Sequence, residues 1–321
     1  MMHFRLGLIG CGQFGMFLAQ TAVQSGRARI VAVTDVDPAR GAKAAAQFGA
    51  RACADDAALL GQPGLDAVLI ATPPAQHRDN AIRAARSGKA LFLEKPMALG
   101  NAACEAINAA AAESGAPLMV GHVLRWFEPY RAIADLYRSG RLGRALHLSF
   151  WRLEHDFLGI SPWKGQRAGS GGYLYEVAAH ELDWLRTLLG EPEAIGTQIS
   201  KRLPSPHELE DTVALQLRFA DGASAHYLGG TAFPDNSHGF CLRFEHATIS
   251  SDAAFDPARV RLASPAGLTL DDLAFSTVDP YRQELDAWFD SLAAGRPAPV
   301  TGTDAAATVR LIESAYRAGG W

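Results

Sequence analysis

Cysteine is scarce in this chain, and what there is lies scattered. Cys11, Cys53, Cys104 and Cys241 are the four in 321 residues and form no C-x-x-C pair. That spacing argues against a disulfide framework or a cysteine-built metal site and leaves reduced, mostly structural thiols. Long apolar runs are also missing: nothing approaches the ~18 consecutive apolar residues of a membrane span. The opening MMHFRLGLIGCG has an apolar core too short and too rich in glycine for a secretory signal. Basic runs are absent, with Lys+Arg at 30 against Asp+Glu at 34 and a net charge of −4, so a nucleic-acid surface is not expected. Repeats are lacking too, and the only biased tracts are alanine-rich helices. These absences point to a cytoplasmic protein with neither nucleic acid nor membrane as partner. Its length allows two domains with separate cores, and 48% hydrophobic with 20% charged residues is the balance of a soluble globular chain.

What is present begins with RLGLIG at 5–10, a short apolar run ending in glycine. It is followed by CGQFGMFLAQTAVQ, which carries apolar residues at helical spacing (Phe14, Phe17, Leu18, Ala22). The turn between them holds Gly10, Gly12 and Gly15, a G-x-G-x-x-G, and the next strand, ARIVAVTD, ends on Asp35 about twenty residues on. Strand, glycine turn, helix and acid together predict a dinucleotide site. Gly10 allows the tight turn, Gly12 lets the backbone approach a pyrophosphate, and Gly15 lets the helix pack on the strand. The helix N-terminus offers N–H groups to phosphate, with Gln13 and Phe14 on the same turn. Asp35 would accept ribose hydroxyls and repel a 2′-phosphate, favouring NAD over NADP, while Arg40 lies close enough to keep NADP open.

The pattern continues through LDAVLIATPP (65–74), a helix around NAIRAARSG, ALFLEKP (90–96), a helix over 101–114 and PLMVGH (117–122). Alternating strands and helices predict an α/β class with a doubly wound parallel sheet and ligands at the strands' C-terminal ends. Thr72, Pro73, Glu94 and Lys95 fall at such ends. Lys95 would present an ammonium to a substrate oxygen and lie within reach of the cofactor, with Glu94 as its charge partner. His77, five residues past Thr72, starts or orients the next helix beside the cofactor.

From Val123 the texture changes. LHLSFWRLEH, EAIGTQISKRL, TVALQLRFADG, ASAHYLGGTAF, HGFCLRFEHATIS and ARVRLAS read as strands with few helices between them. The boundary is placed at 121, giving domains 1–121 and 122–321, with the last helix free to pack back on the first. Among the strands a helix runs from about Gly172 to Gly190. Leu174, Ala178, Leu182, Leu185 and Leu189 form its core stripe, and Glu176, His180 and Asp183 share the opposite face. Periodicity leaves open whether that face meets water or a cleft. His180-Glu181 begins as the zinc motif H-E-x-x-H does, but position 184 is Trp184, so no metal is expected and Glu181 is read as incidental.

TPPAQH, EKP, GH at 121–122, GSGGYLYEVAAHELDWLRTLLGE and the closing VDPYRQELDAWFDSLAAGRPAPVTGTDAAATVRLIESAYRAG together resemble the Gfo/Idh/MocA family of NAD(P)-dependent oxidoreductases. The resemblance spans essentially the whole chain. It implies an N-terminal Rossmann domain and a C-terminal α+β domain on a large, mainly antiparallel sheet whose open face often serves oligomer contacts, here as a homodimer or homotetramer. It implies that Lys95 and His180 flank the reacting carbon, with Lys95-Pro96 often cis, and it turns the polar helix face toward the cleft. The residue four before the histidine is often Asp in polyol-oxidising relatives and is Glu176 here. Arg125, Trp126, His155, Asp156, Trp163, Lys164 and Tyr281 fall in segments that line the pocket in similar proteins, and Asp183 joins them as a substrate contact. Trp163-Lys164 stands where relatives often have Trp-Arg.

The function expected is hydride transfer between NAD and a secondary alcohol or ketone of a sugar, an inositol-like polyol or a related cyclic substrate. His180 would act as base, Lys95 as donor to the same oxygen, and Glu176 would orient or tune the histidine. Two alternatives stay open: a non-catalytic nucleotide-binding regulator on the same fold, and a glycosidase that uses NAD transiently.

Overall fold

The structure is a computed structural model describing residues 3–155, 161–203 and 207–321. It divides into two compact units, Met1–His122 with Val278–Val309 and Val123–Thr277 with Arg310–Trp321.

The first unit holds six strands: β1 (Phe4–Ile9), β2 (Ala28–Thr34), β3 (Arg51–Ala52), β4 (Ala67–Ile70), β5 (Ala90–Glu94) and β6 (Leu118–Gly121). Their order is β3-β2-β1-β4-β5-β6 and every pairing is parallel. The connecting helices are α1 (Gln13–Gln24), α2 (Pro38–Phe48), α3 (Asp56–Leu60), α4 (Pro74–Arg86) and α5 (Asn101–Ser114). All residues of β4 and β5 are buried, which is why they read as unbroken apolar runs. The strand order reverses between β1 and β4, so the crevice for a ligand lies at the C-terminal ends of those two strands. Sequence periodicity passes over 36–64, where the structure has α2, β3 and α3. The cause is local: β3 is two exposed residues long, and α2 buries only Gly41 and Ala44. Capping sets the ends of α2 instead, Asp37 accepting from the Ala39 N–H and Gly49 closing it in the left-handed region.

The second unit contains α6 (Tyr130–Arg138), β7 (Ala145–Leu153), α7 (Arg167–Ser170), a π-helical turn (Leu174–Ala178) and α8 (Ala179–Leu189). It continues with β8 (Ala194–Ser200), β9 (Thr212–Arg218), β10 (Ser224–Gly230), β11 (Ser237–Phe244), β12 (Thr248–Ser251) and β13 (Arg261–Ala263). These strands form one sheet in the order β13-β12-β11-β7-β10-β9-β8, antiparallel except where β7 meets β10. Alternation sends Leu148, Phe150, Val213, Leu215, Leu217, Tyr227, Phe240 and Leu242 into the core. HGFCLRFEHATIS, expected as one strand, is a hairpin, closed where the Phe244 N–H donates to the Ala247 carbonyl (2.8 Å). Helix α6 was not foreseen among the strands; it buries Tyr130, Ile133 and Leu136.

Two helices end the chain, α9 (Pro280–Ala293) in the first unit and α10 (Gly302–Ala318), within which the division between units falls. In α9, Phe289 stacks on Phe4 (5.2 Å) and Trp288 meets Phe92 edge-on (5.4 Å). Each such buried ring stabilises the unit by roughly 1.5–3 kcal/mol.

Candidate active site

The glycine turn is built as its spacing requires. Gly10 has φ 95, and its N–H donates to the Thr34 carbonyl at 3.0 Å. A Cβ there would lie 2.8 Å from the Ala71 carbonyl oxygen, and one on Gly15 would overlap the Gly10 carbonyl oxygen. Gly12 is different: nothing lies within 4 Å of where its Cβ would be. It begins α1 with no side-chain cap, as a phosphate-binding helix terminus does. Gln13 and Phe14 on the first turn are exposed. A dinucleotide pyrophosphate fits this clearance and these donors.

Asp35 closes the far side of the turn. Its Oδ2 accepts from the Cys11 N–H (2.7 Å), and its Oδ1 accepts from the Asp37 N–H (2.8 Å) and from Arg40 (3.0 and 3.1 Å). Burial and the Asp35 charge push the Cys11 thiol up to about 12, so it stays protonated. Tyr281, expected among the substrate contacts, belongs to this unit, where its ring meets Phe14 at 5.8 Å and Phe17 at 4.9 Å.

At the next two strand ends, Thr72 and Pro73 form the turn into α4, and Glu94-Lys95-Pro96 follows β5. The Lys95-Pro96 bond is cis. Glu94 is buried, and its Oε2 accepts from the Lys95 N–H (3.2 Å); Lys95 is half-buried. His77 is fully buried, with Nδ1 2.8 Å from the Pro96 carbonyl oxygen and Nε2 2.8 Å from that of Thr72.

In the second unit, every residue from Gly172 to Arg186 is buried except His180. The helix wheel that placed Glu176, His180 and Asp183 on a common face is changed by the π turn, which widens the helix just where Glu176 sits. The polar side is not a solvated one. The Glu176 carboxylate pairs with Lys164 Nζ at 2.9 Å. Asp183 takes a two-pronged bond from Arg125, Nε to Oδ2 at 2.7 Å and Nη2 to Oδ1 at 2.8 Å, with Arg186 at 3.9 Å. Two expected substrate residues, Arg125 and Asp183, thus bind each other.

Among the other expected contacts, Lys164 Nζ lies 5.8 Å from the ring centroid of Trp163, which is half-buried, as is Trp126. His155 is exposed, its N–H donating to Asn236 Oδ1 (2.8 Å) and its Nδ1 3.0 Å from the Phe233 carbonyl oxygen. Asp156 lies outside the described residues.

Glu181 corrects the sequence reading. It is completely buried, 3.0 Å from His238 Nε2 and 3.7 Å from Arg152. Burial alone would raise its carboxyl, but the His238 hydrogen bond and the Arg152 charge together hold it below the ordinary range. Glu210 and Tyr316 were also missed. They cap the start of the helix that carries His180, Glu210 Oε2 accepting from the Tyr173 N–H (2.9 Å) and the Tyr316 hydroxyl from the Leu174 N–H (3.1 Å). No local pattern announces caps donated from so far along the chain.

Comparison with known proteins agrees with this architecture. A family model described as an oxidoreductase family with an NAD-binding Rossmann fold, GFO_IDH_MocA, matches residues 4–122. The GFO/IDH/MocA C-terminal domain model matches residues 130–250. Inositol 2-dehydrogenase 2 of Saccharopolyspora erythraea is 30% identical over 98% of this chain and 92% of its own. A 2,7-anhydro-N-acetylneuraminate hydratase of Escherichia coli is 30% identical over 77% of this chain and 67% of its own. Among solved structures, an Agrobacterium radiobacter oxidoreductase in complex with NAD+, L-tartaric acid and magnesium is 25% identical. It superposes with a TM-score of 0.88 over 99% of this chain and 96% of its own.

Proposed function

The chain belongs to the GFO/IDH/MocA family of NAD-binding oxidoreductases, and we propose that it oxidises a secondary alcohol of a sugar or an inositol-like polyol, or reduces the corresponding ketone. The observation that carries this reading is His180, the one part-exposed side chain in a buried stretch of fifteen residues, 172–186. The glycine turn and Asp35 would hold the dinucleotide, which would supply the hydride acceptor or donor. His180 takes the hydroxyl proton in the oxidative direction and returns it in the reductive one, since imidazole titrates near neutrality. Lys95 donates to the same oxygen and stabilises charge that develops on it. Glu176, paired with Lys164, tunes the histidine. Asp35 engages the adenosine ribose hydroxyls and opposes a 2′-phosphate, so NAD binds better than NADP.

Similarity to an inositol 2-dehydrogenase along nearly the full length supports the substrate class. No described helix is long and apolar enough to cross a membrane, and a cytoplasmic homodimer or homotetramer is part of the proposal. The decisive experiment is a panel of polyols and aldoses with NAD and NADP, followed at the reduced-nicotinamide absorbance. Turnover of at least one member, lost by orders of magnitude in Lys95→Ala with NAD affinity retained, is the expected result. Ordinary activity in that variant would sink the site. Tight NAD binding without turnover across the panel would favour a regulator. Substrate conversion without net NAD reduction would favour a redox-neutral reaction, of which the similar hydratase is a reminder.

A further inference from the structure

The buried ring of His77 makes a demand that ordinary histidine chemistry does not meet. Its two nitrogens each lie 2.8 Å from a backbone carbonyl oxygen, Nδ1 from Pro96 and Nε2 from Thr72. Carbonyl oxygens only accept, whereas a neutral imidazole has one N–H and one lone pair. A neutral ring would hold a lone pair against an oxygen at hydrogen-bond distance; an imidazolium donates to both. We propose that His77 is held as the imidazolium and is a positioning residue for Lys95, clamping the turn after β4 to the turn after β5.

The clamp has a fixed end and a governed end. Thr72 is anchored a second time, its hydroxyl donating to Asn80 Oδ1 (3.1 Å). Asn80 Nδ2 in turn donates to Asp56 Oδ2 (2.6 Å), a carboxylate also gripped by Arg83 (2.8 Å). The other carbonyl belongs to Pro96, the residue directly after Lys95. Holding it fixes where the lysine backbone leaves β5, and so where its ammonium can reach.

Two effects oppose the charge: burial, and a place on the first turn of α4, where the helix dipole disfavours a cation. Two carbonyl dipoles pointed at the ring act against them. Helix α4 packs on α3, β4, β5 and α5. The charged groups those elements and their ends carry are Asp55 and Asp56 at α3, Asp66 at β4, Lys89, Glu94 and Lys95 at β5, and Glu105 and Glu113 on α5. Arg78, Asp79, Arg83 and Arg86 lie on α4 itself. Of these, Glu94 is a buried acid one residue before Lys95.

The test is nitrogen-15 NMR of the histidine rings in the full chain, the His77 signals identified by their loss in His77→Gln. Two protonated-type ring nitrogens are expected, persisting at least one unit above the ordinary histidine value of about 6.5. One nitrogen with a lone-pair shift at neutral pH overturns the proposal. In parallel, His77→Gln and His77→Phe should lower kcat at least about tenfold with the KM for NAD changed less than about threefold. A folded His77→Phe with wild-type kcat also overturns it, and if that variant does not fold the wild-type spectrum still decides. The clamp rests on Lys95 being the substrate-facing ammonium, yet the two ideas fail separately. Activity surviving in Lys95→Ala would remove the lysine's role and leave the ring spectrum as it is; a neutral His77 would remove the clamp while Lys95→Ala stays inactive.

Discussion

The first unit presents its polar chemistry mainly through the backbone, the second mainly through side chains. In the first, Gly10, Gly12 and Gly15 shape a turn, Asp35 accepts two backbone N–H groups, and His77 meets two carbonyls. In the second, the acids of the helix region around His180 each have a side-chain cation: Glu176 with Lys164, Asp183 with Arg125, Glu181 with Arg152 and His238. The difference follows from the job. A dinucleotide is a fixed ligand that one turn geometry serves, whereas acids buried along a helix need cations brought from elsewhere in the fold.

The comparison breaks first at Asp183. It is 1% exposed at the side chain with two arginines on it, so Asp183→Ala leaves buried positive charge without its partner. Urea unfolding should show a loss of about 3–5 kcal/mol; a near-neutral result would mean that ion pairs do not hold the second unit. The matching break in the first unit is Gly15→Ala. The added methyl meets backbone, which cannot rotate aside, and overpacking of this kind costs about 1–3 kcal/mol. Titration with NAD should show affinity reduced about tenfold or more, and retained affinity would mean that the turn tolerates a shift.

The same contrast explains what could be read from the chain beforehand. Gly10, Gly12, Gly15 and Asp35 act within a single strand–turn–helix–strand segment, and α5 runs over Asn101–Ser114 as its spacing indicates. The strands of the second unit showed through alternation, which reports a face and not a partner. Arg125 and Asp183 are 58 positions apart, so nothing local in the sequence links the pair that the fold joins. Glu181 looked incidental because its partners lie on β7 and β11. Nothing in LYEVA marks a π turn, and so the wheel drawn through Glu176 and His180 assumed an α-helix where the backbone has a wider one.

Glu181 sharpens the comparison through pH. Its carboxyl is held below the ordinary value, so the charged form is what the fold favours. A depressed acid stabilises fully above its unfolded value and loses that contribution as pH falls through its folded one. Wild type should therefore exceed Glu181→Gln by about 1–2 kcal/mol at neutral pH. The gap should narrow below the ordinary carboxyl value of 4.5. A pH-independent gap in thermal melting would assign Glu181 to packing alone.

The smallest expected effect concerns the part-exposed pair at the helix that carries His180. Lys164 and Glu176 are 2.9 Å apart, but the lysine is 30% exposed while the glutamate is 7% exposed. Water reaches one end of the pair, so its coupling to stability should be no more than about 1 kcal/mol. Its effect on turnover can be larger, because removing the ammonium leaves the Glu176 carboxylate uncompensated in the helix region that carries His180. The four chains of a double-mutant cycle, with Lys164→Met and Glu176→Gln singly and together, separate these contributions. Lys164→Met should lower kcat about three- to tenfold, and adding Glu176→Gln should restore part of the loss. Identical kcat values in all four would leave the ion pair a structural contact and take Glu176 out of the proton chemistry.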